Sequence, residues 1–127
     1  MTVRTSFITD RGVRICLLDF SHLPDEATAL ATIEEARRLI AREPLKSVYT
    51  LTDVTGSRVT SGIRAALHEL TQANAPYVVA GAVVGLTNIQ TIILRGIVQL
   101  TKRRLVMAKS RDDARDWLVK EAQGGTP

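Results

Sequence analysis

Short apolar runs alternate along the chain with segments in which apolar residues recur at helical spacing. The runs are partly β-branched and have the length of strands, whereas the longer periodic segments are typical of amphipathic helices. The predicted strands cover residues 13–20, 46–53, 77–84 and 103–109. The predicted helices cover residues 24–42, 60–74, 89–102 and 110–121. The run at 77–84 is almost wholly apolar, as expected for a strand buried on both faces of a sheet.

The start of the chain predicts a β-hairpin. Residues 2–8 form a possible first strand, and Thr9-Asp10-Arg11-Gly12 has turn chemistry before the strand at 13–20. Strands that then alternate with helices imply a mostly parallel sheet with right-handed crossovers. We therefore expect a single α/β domain over residues 1–127, with about four to five strands and a flexible tail at 122–127.

Composition narrows the class of protein without identifying a function. Hydrophobic residues make up 45% and charged residues 24% of the 127 positions, as in ordinary globular domains. The first residues lack the pattern of a signal peptide, and no apolar stretch has the length of a membrane span, so a cytoplasmic location is expected. The single cysteine, Cys16, lies in an apolar run and is interpreted as a buried small hydrophobe.

The formal net charge of +4 raises the question of an anionic partner. The basic residues are scattered, apart from a cluster at 102–104, and aromatic residues make up only 4%. Such a chain offers no stacking platform for single-stranded nucleic acid, so no nucleic-acid partner is expected. His22 and His68 have no cysteine or carboxylate at metal-ligand spacing, and neither a metal nor a cofactor is expected.

The most suggestive segment is the turn at residues 53–62, which joins a predicted strand to a predicted helix. In sheets of this type, ligands bind beyond the carboxyl ends of the strands, where this turn would lie. Its hydroxyl, carboxylate, basic and glycine residues are the candidate site: Asp53, Thr55, Gly56, Ser57, Arg58, Thr60, Ser61 and Gly62.

Asp53-Val54-Thr55-Gly56, followed by Thr60-Ser61-Gly62, resembles the signature of STAS domains, the family of the sporulation anti-anti-sigma factor. The order of elements is also similar to that of the SpoIIAA-like (STAS-like) family, whose fold resembles CRAL-TRIO lipid-binding domains. The resemblance implies a non-catalytic regulatory module that binds a protein partner, such as a kinase or a regulator. It also implies that Ser61, with Thr60 beside it, is the hydroxyl that a partner kinase phosphorylates.

Physical chemistry allows two interpretations of this turn. A phosphate at a helix N-terminus would be stabilised by backbone N–H groups and would be near Arg58 or Arg64. Alternatively, Thr60 or Ser61 is only the N-cap of the helix and Gly56 only permits the turn.

A third hypothesis comes from the strand ends. Asp19, Asp53, Thr87 and Lys109 fall at successive carboxyl ends, in the order in which response-regulator receiver domains use an acid, a phospho-acceptor Asp, a Thr and a Lys. That order would make Asp53 a Mg²⁺-dependent phospho-acceptor. In that family a pair of acids follows the first strand, whereas Asp19 is flanked by the apolar residues Leu18 and Phe20.

The helix predicted at 89–102 is more apolar than a single buried stripe requires. One stripe contains Ile89, Ile92, Ile93, Gly96, Ile97 and Leu100. Leu94 and Val98 lie outside that stripe and widen the apolar surface. The excess could form a homodimer interface, border a pocket for a small apolar or lipid-like ligand, or be buried under neighbouring elements.

Overall fold

The computed structural model describes residues 4–101 and 103–124, with the side chains at positions 97 and 101 excepted. Five strands and four helices follow one another in the predicted order. The strands are β1 (Thr5–Asp10), β2 (Val13–Asp19), β3 (Val48–Asp53), β4 (Val78–Val84) and β5 (Leu105–Ala108). The helices are α1 (Glu26–Ala41), α2 (Ser61–Asn74), α3 (Asn88–Thr101) and α4 (Arg111–Ala122).

The sheet has the order β1-β2-β3-β4-β5. β1 pairs antiparallel with β2, and the other neighbours pair in parallel. The predicted α/β domain with an N-terminal hairpin is therefore confirmed. The hairpin turn is tighter than predicted, because Arg11 and Gly12 alone join the strands, both at positive φ (51° and 80°). Two such residues make the turn that matches the twist of paired strands.

Alternating side chains give the sheet two apolar faces. From β2, Cys16 and Leu18 pack in the cluster that contains α1 and α2, while Ile15 packs in the cluster that contains α4. Cys16 is fully buried, and burial raises the pKa of its thiol to about 12, so this side chain is a packing residue.

The ends of several elements differ from the predicted ends. α1 begins at Glu26, two residues later than predicted, because Asp25 accepts a hydrogen bond from the Thr28 N–H at 2.7 Å and is the N-cap. Ala122, predicted to lie in the tail, is the last residue of α4, and residues 125–127 lie outside the described part. Predicted positions 2–3 and 102 also fall outside it. None of the helices in the described ranges has the length and apolar character needed to cross a bilayer.

α3 is the least closely packed helix of the described chain. Its first turn is capped by reciprocal hydrogen bonds between Thr87 and Gln90, but it packs less closely on the other elements than α1, α2 and α4 do. Few tertiary contacts permit local opening at low free energy. We expect the backbone amides of α3 to exchange with deuterium at least tenfold faster than those of α4. Equal protection of α3 and α4 in hydrogen-exchange mass spectrometry would contradict this expectation.

Candidate functional site

Two aspartates end neighbouring strands at the carboxyl edge of the sheet. Asp19 and Asp53 are direct partners in the parallel register of β2 and β3. Each carboxylate also accepts a hydrogen bond from the backbone N–H two residues later, from Ser21 at 3.1 Å and from Thr55 at 2.9 Å. Both strands thus end in the same local turn, which a short carboxylate side chain stabilises.

Arg111, the first residue of α4, bridges the two carboxylates. Its Nε lies 2.7 Å from Asp53 Oδ2, and its Nη2 lies 3.1 Å from Asp19 Oδ1. Arg4 adds a second cation, with Nη1 at 3.9 Å from Asp19 Oδ1 and 2.8 Å from the Ser21 carbonyl oxygen. The guanidinium of Arg111 therefore occupies the space between the acids and neutralises them.

These contacts determine the charge state of both acids. Burial by itself would raise the pKa of Asp53, but hydrogen bonds from Thr55 and Arg111 lower the pKa below its ordinary value of 3.8. The pKa of Asp19 is also lowered, because hydrogen bonds from Ser21 and the charges of Arg111 and Arg4 outweigh burial. Both side chains are carboxylates at neutral pH.

This arrangement gives no support to the receiver-like hypothesis. Asp53 is 6% exposed, and both of its carboxylate oxygens are already engaged by Thr55 and Arg111. Thr87 caps α3, and Lys109 is exposed just beyond β5. A phosphoryl group on Asp53 would first have to displace Arg111. In this geometry the Asp53 carboxylate joins the end of β3 to the following turn and to α4.

The 53–62 turn is fastened to the segment that follows β2. The Phe20 N–H donates to the Asp53 carbonyl at 2.8 Å, and the His22 N–H donates to the Thr55 carbonyl at 2.9 Å. The Ser57 hydroxyl donates to the Phe20 carbonyl and accepts from the Leu23 N–H at 3.4 Å. The Ser57 hydroxyl thus uses its hydrogen bonds to join the 53–62 turn to the segment after β2.

Two glycines in this region are required by the backbone. Gly56 has a φ of 68°, and a Cβ there would lie 2.3 Å from the ring of His22. Gly85, just after β4, has a φ of 89°, and a Cβ there would lie 2.5 Å from the Thr55 backbone nitrogen. The second contact is with main chain, so it cannot be relieved by rotating a side chain.

Thr60 is the N-cap of α2. Its hydroxyl accepts from the Ile63 N–H at 3.2 Å and donates to Glu26. Glu26 also closes over Gly62, where a Cβ would lie 2.6 Å from its Oε1. The negative charge of Glu26 therefore lies near the start of α2, where the positive end of the helix dipole interacts favourably with it.

Ser61 differs from its neighbours in the turn. It is exposed in the first helical position, and its hydroxyl makes no hydrogen bond to any residue within the described ranges. Arg58 and Arg64 are also exposed nearby in sequence. The structure thus separates two residues that the sequence treated together, since Thr60 is the cap and Ser61 the accessible hydroxyl.

This difference predicts unequal effects of two alanine substitutions. Thr60→Ala should lower the free energy of unfolding by about 1 kcal/mol, because α2 loses its N-cap. Ser61→Ala should change it by less than about 0.5 kcal/mol, because the hydroxyl is exposed. Urea denaturation of both variants measures the difference, and equal losses would show that Ser61 shares the capping role.

The larger apolar surface of α3 faces away from the sheet. The sequence treats Ile89, Ile92, Ile93, Gly96, Ile97 and Leu100 as the main stripe, and four of these residues are exposed: Ile89 (72%), Ile92 (67%), Ile93 (48%) and Leu100 (87%). These four side chains are therefore not covered by other elements of the described chain. A Cβ at Gly96 would have no atom within 4 Å, and the Ile97 side chain is outside the described part.

Leu94 and Val98, which the sequence placed outside the stripe, are half-buried. Leu94 closes one side of a cleft of about 200 Å³ between α2, α3 and the sheet, which is named the α3 cleft below. Its lining consists of Leu18, Phe20, Thr50, Thr52, Val54, Leu67, Leu70, Thr71, Asn74, Val78, Val83, Leu86, Leu94, Arg103 and Leu105.

The α3 cleft has a polar end and an apolar end. α2 runs opposite to the parallel strands, so Thr71 and Asn74 at its C-terminus lie at the end where β5 begins, together with Arg103. Phe20 and Val54 line the other end, beyond the ends of β2 and β3. The cleft is therefore amphipathic along its length.

Sequence reasoning missed the polar end. Asn74 is 6% exposed. Its position four residues after Leu70, in line with the apolar face of α2, was the available sign of a buried polar contact there. Arg103 belongs to the basic cluster at 102–104, which composition assigned to surface charge. Only the three-dimensional arrangement separates Arg103, which lines the cleft, from Arg104, which is exposed and pairs with Glu121 at 2.9 Å.

The 53–62 turn and the α3 cleft are thus two different candidate sites. The turn is polar, and most of its polar side chains are hydrogen-bonded within the protein, whereas the cleft is mostly apolar and open. Comparisons of the chain with protein-family models, with curated proteins and with solved structures found no match to any of them.

Proposed function

We propose that this protein is a non-catalytic binding module that holds a small apolar or amphipathic ligand in the α3 cleft. The observation that carries the proposal is the cleft itself. A volume of about 200 Å³ lined mostly by aliphatic side chains lies between the sheet and α3. Sites for small molecules are concave and mostly apolar with a few polar groups, and the α3 cleft has this character.

The volume sets the size of the ligand. An apolar cavity of about 150 Å³ is known to hold benzene, so the α3 cleft suits a molecule somewhat larger than benzene. By contrast, the void under the 53–62 turn measures only about 10 Å³, which is room for one water at most. The turn therefore provides no comparable space for a ligand.

The loose packing of α3 supports a route of entry. Leu94 is the α3 residue that lines the cleft, and α3 packs less closely than the other helices. A small outward movement of α3 would open the cleft without disturbing the sheet.

The test compares two neighbouring substitutions on α3. Ethylbenzene and 1-octanol are titrated into ¹⁵N-labelled protein, and amide shifts are followed in β3, β4 and the C-terminal half of α2. Leu94→Trp should weaken binding at least tenfold, because the larger ring fills the cleft. Ile93→Trp, on the exposed face, is the matched control and should leave the dissociation constant within twofold.

Two results would reject ligand binding in the α3 cleft. One is the absence of saturable shifts with either probe. The other is an equal loss of binding in Leu94→Trp and Ile93→Trp, which would indicate association with the exposed face of α3.

A second candidate function is a phosphorylation-controlled contact at the 53–62 turn, in the manner of STAS-like regulators. The observation that favours it is the exposed Ser61 hydroxyl at the first position of α2. A phosphate there would interact favourably with the helix N-terminus but would repel Glu26, which is bonded to Thr60. Such repulsion would change the contact between the starts of α1 and α2 and alter the surface that a protein partner meets.

Fragmentation mass spectrometry of the protein purified from its own host cells tests this second candidate, because it locates a covalent phosphate on Ser61. The binding of partner proteins by Ser61→Asp and Ser61→Ala is then compared. If Ser61→Asp leaves every partner interaction unchanged, this switch does not exist.

The exposed stripe of α3 is the surface on which a homodimer, one of the alternatives that the sequence leaves open, would form. Gly96 lies within that stripe, with open space where its side chain would be, so two copies of the helix could approach closely. A stable dimer also needs roughly 800 Å² from each partner. Dimerisation and a cytoplasmic location remain predictions.

A further inference from the structure

We propose that the ligand of the α3 cleft carries a single anionic head group, such as a carboxylate, which pairs with Arg103. This inference rests on the proposed function and names the chemical class of the ligand. The ligand would be a small amphipathic acid, with its apolar body towards Phe20 and its head group at the end formed by Arg103, Thr71 and Asn74.

Among the described residues, Arg103 has a hydrogen-bond partner for only one of its N–H donors. Its Nη1 donates to the Thr71 carbonyl oxygen at 2.9 Å, which satisfies one carbonyl near the C-terminus of α2. A guanidinium has five N–H groups in a rigid, planar arrangement that matches the two oxygens of a carboxylate. Capping α2 therefore uses only part of what this side chain can donate.

Arg103 has no counter-charge in the described part of the chain. Burial lowers the pKa of Arg103 below its ordinary value, and no carboxylate of the described residues pairs with it, whereas Arg111 and Arg37 are both paired with nearby acids. It remains a cation at neutral pH, since its ordinary pKa is so high. A partly desolvated cation facing an apolar cleft favours an anion over a neutral molecule of the same shape.

The rest of the cleft determines where the anion would lie. Asn74 lines the same end as Arg103, and its amide N–H groups can add neutral hydrogen bonds to an anion. The Thr71 hydroxyl already donates to the Leu67 carbonyl oxygen at 2.8 Å. The opposite end is lined by Phe20, Val54 and Leu86. Burying a carboxylate at that apolar end would leave it without a hydrogen-bond partner. The cleft thus gives an amphipathic acid one favourable orientation.

The experiment compares octanoate with 1-octanol, which share an alkyl chain and differ in the charge of the head group. Isothermal titration calorimetry at pH 7 should show octanoate binding at least tenfold more tightly than octanol to the wild-type protein. Arg103→Gln, which keeps a donor for the Thr71 carbonyl but removes the charge, should abolish this preference. Arg104→Gln, the neighbouring and exposed arginine, is the matched control and should preserve the preference.

The outcomes separate this inference from the proposed function. If octanol binds and octanoate binds no more tightly, the anionic head group is wrong and ligand binding in the cleft stands. If the preference persists in Arg103→Gln, Arg103 is not the residue that recognises the head group. If neither compound binds the wild-type protein, the proposed function and this inference both fail.

Discussion

Replacing Arg111 with leucine should destabilise the protein by about 2–3 kcal/mol. The substitution leaves the carboxylates of Asp19 and Asp53 side by side, and Asp53 is only 6% exposed. Removing one partner of a buried ion pair costs roughly 3–5 kcal/mol, and the value expected here is smaller because the Arg111 side chain is 40% exposed and is screened by solvent. Urea denaturation of the wild type and the variant at pH 7 measures the difference.

The pH dependence provides a second test of the same contact. The folded-state pKa of Asp53 is lowered, so the stability that its pairing contributes is complete above the ordinary pKa of 3.8 and is lost as pH falls through the folded value. In Arg111→Leu, Asp53 loses the hydrogen bond and the charge of Arg111, so its pKa should be higher than in the wild type and its protonation should relieve the cost. The gap between the two proteins should therefore narrow as pH falls from 7 towards about 4.

Lys109→Ala is the matched control for Arg111→Leu. Lys109 is exposed and lies two residues before Arg111, so its replacement also removes one positive charge from this region. It should change the free energy of unfolding by less than about 0.5 kcal/mol at every pH. A loss in Lys109→Ala equal to that in Arg111→Leu would mean that general charge balance, and not the bridge between Asp19 and Asp53, stabilises this edge.

Gly85→Ala should destabilise the protein by roughly 3 kcal/mol. The residue has a φ of 89°, which side-chain-bearing residues rarely adopt, and the added Cβ would lie 2.5 Å from Thr55 N and 2.6 Å from Thr55 Cα. Because both neighbouring atoms belong to the main chain, the 53–62 turn itself must move away from β4. Thermal and urea denaturation measure the loss, and a shift in the amide signals of Thr55 and Gly56 would locate it.

Gly96→Ala makes the same chemical change where neither strain nor collision exists. Gly96 lies within α3, and a Cβ there meets no atom within 4 Å. Alanine is the better helix former by about 1 kcal/mol, so this variant should be as stable as the wild type or more stable. Destabilisation by both alanines to the same extent would contradict the argument from the local contacts of Gly85.

The two candidate sites differ in how their polar groups are satisfied. In the 53–62 turn, Asp53, Ser57 and Thr60 each bond to a neighbouring element, so most of the turn serves the fold. In the α3 cleft, the guanidinium of Arg103 has one described acceptor. Unused donors beside an apolar space are what a ligand site requires, which is why the cleft carries the proposed function.

The hydrophobic pattern was sufficient to predict the fold. Period-two and helical spacing reflect which side chains must leave water, and that requirement is local enough to be visible in one sequence. The hydrophobic pattern predicted the order of the strands and helices, and it located Asp19 and Asp53 at the carboxyl edge of the sheet. It also predicted that the helix at 89–102 has more apolar surface than a sheet can cover.

Only the tertiary structure decided which residues meet. The pairing of Asp53 with Arg111 joins residues 58 positions apart, and no local pattern distinguishes Arg111 from the other exposed arginines. The orientation of α3 was likewise undetermined, because both of its faces are apolar and burial depends on the space that α2 and β5 leave. For the same reason Arg103 lines the α3 cleft while Arg104, its neighbour in the sequence, faces solvent and Glu121.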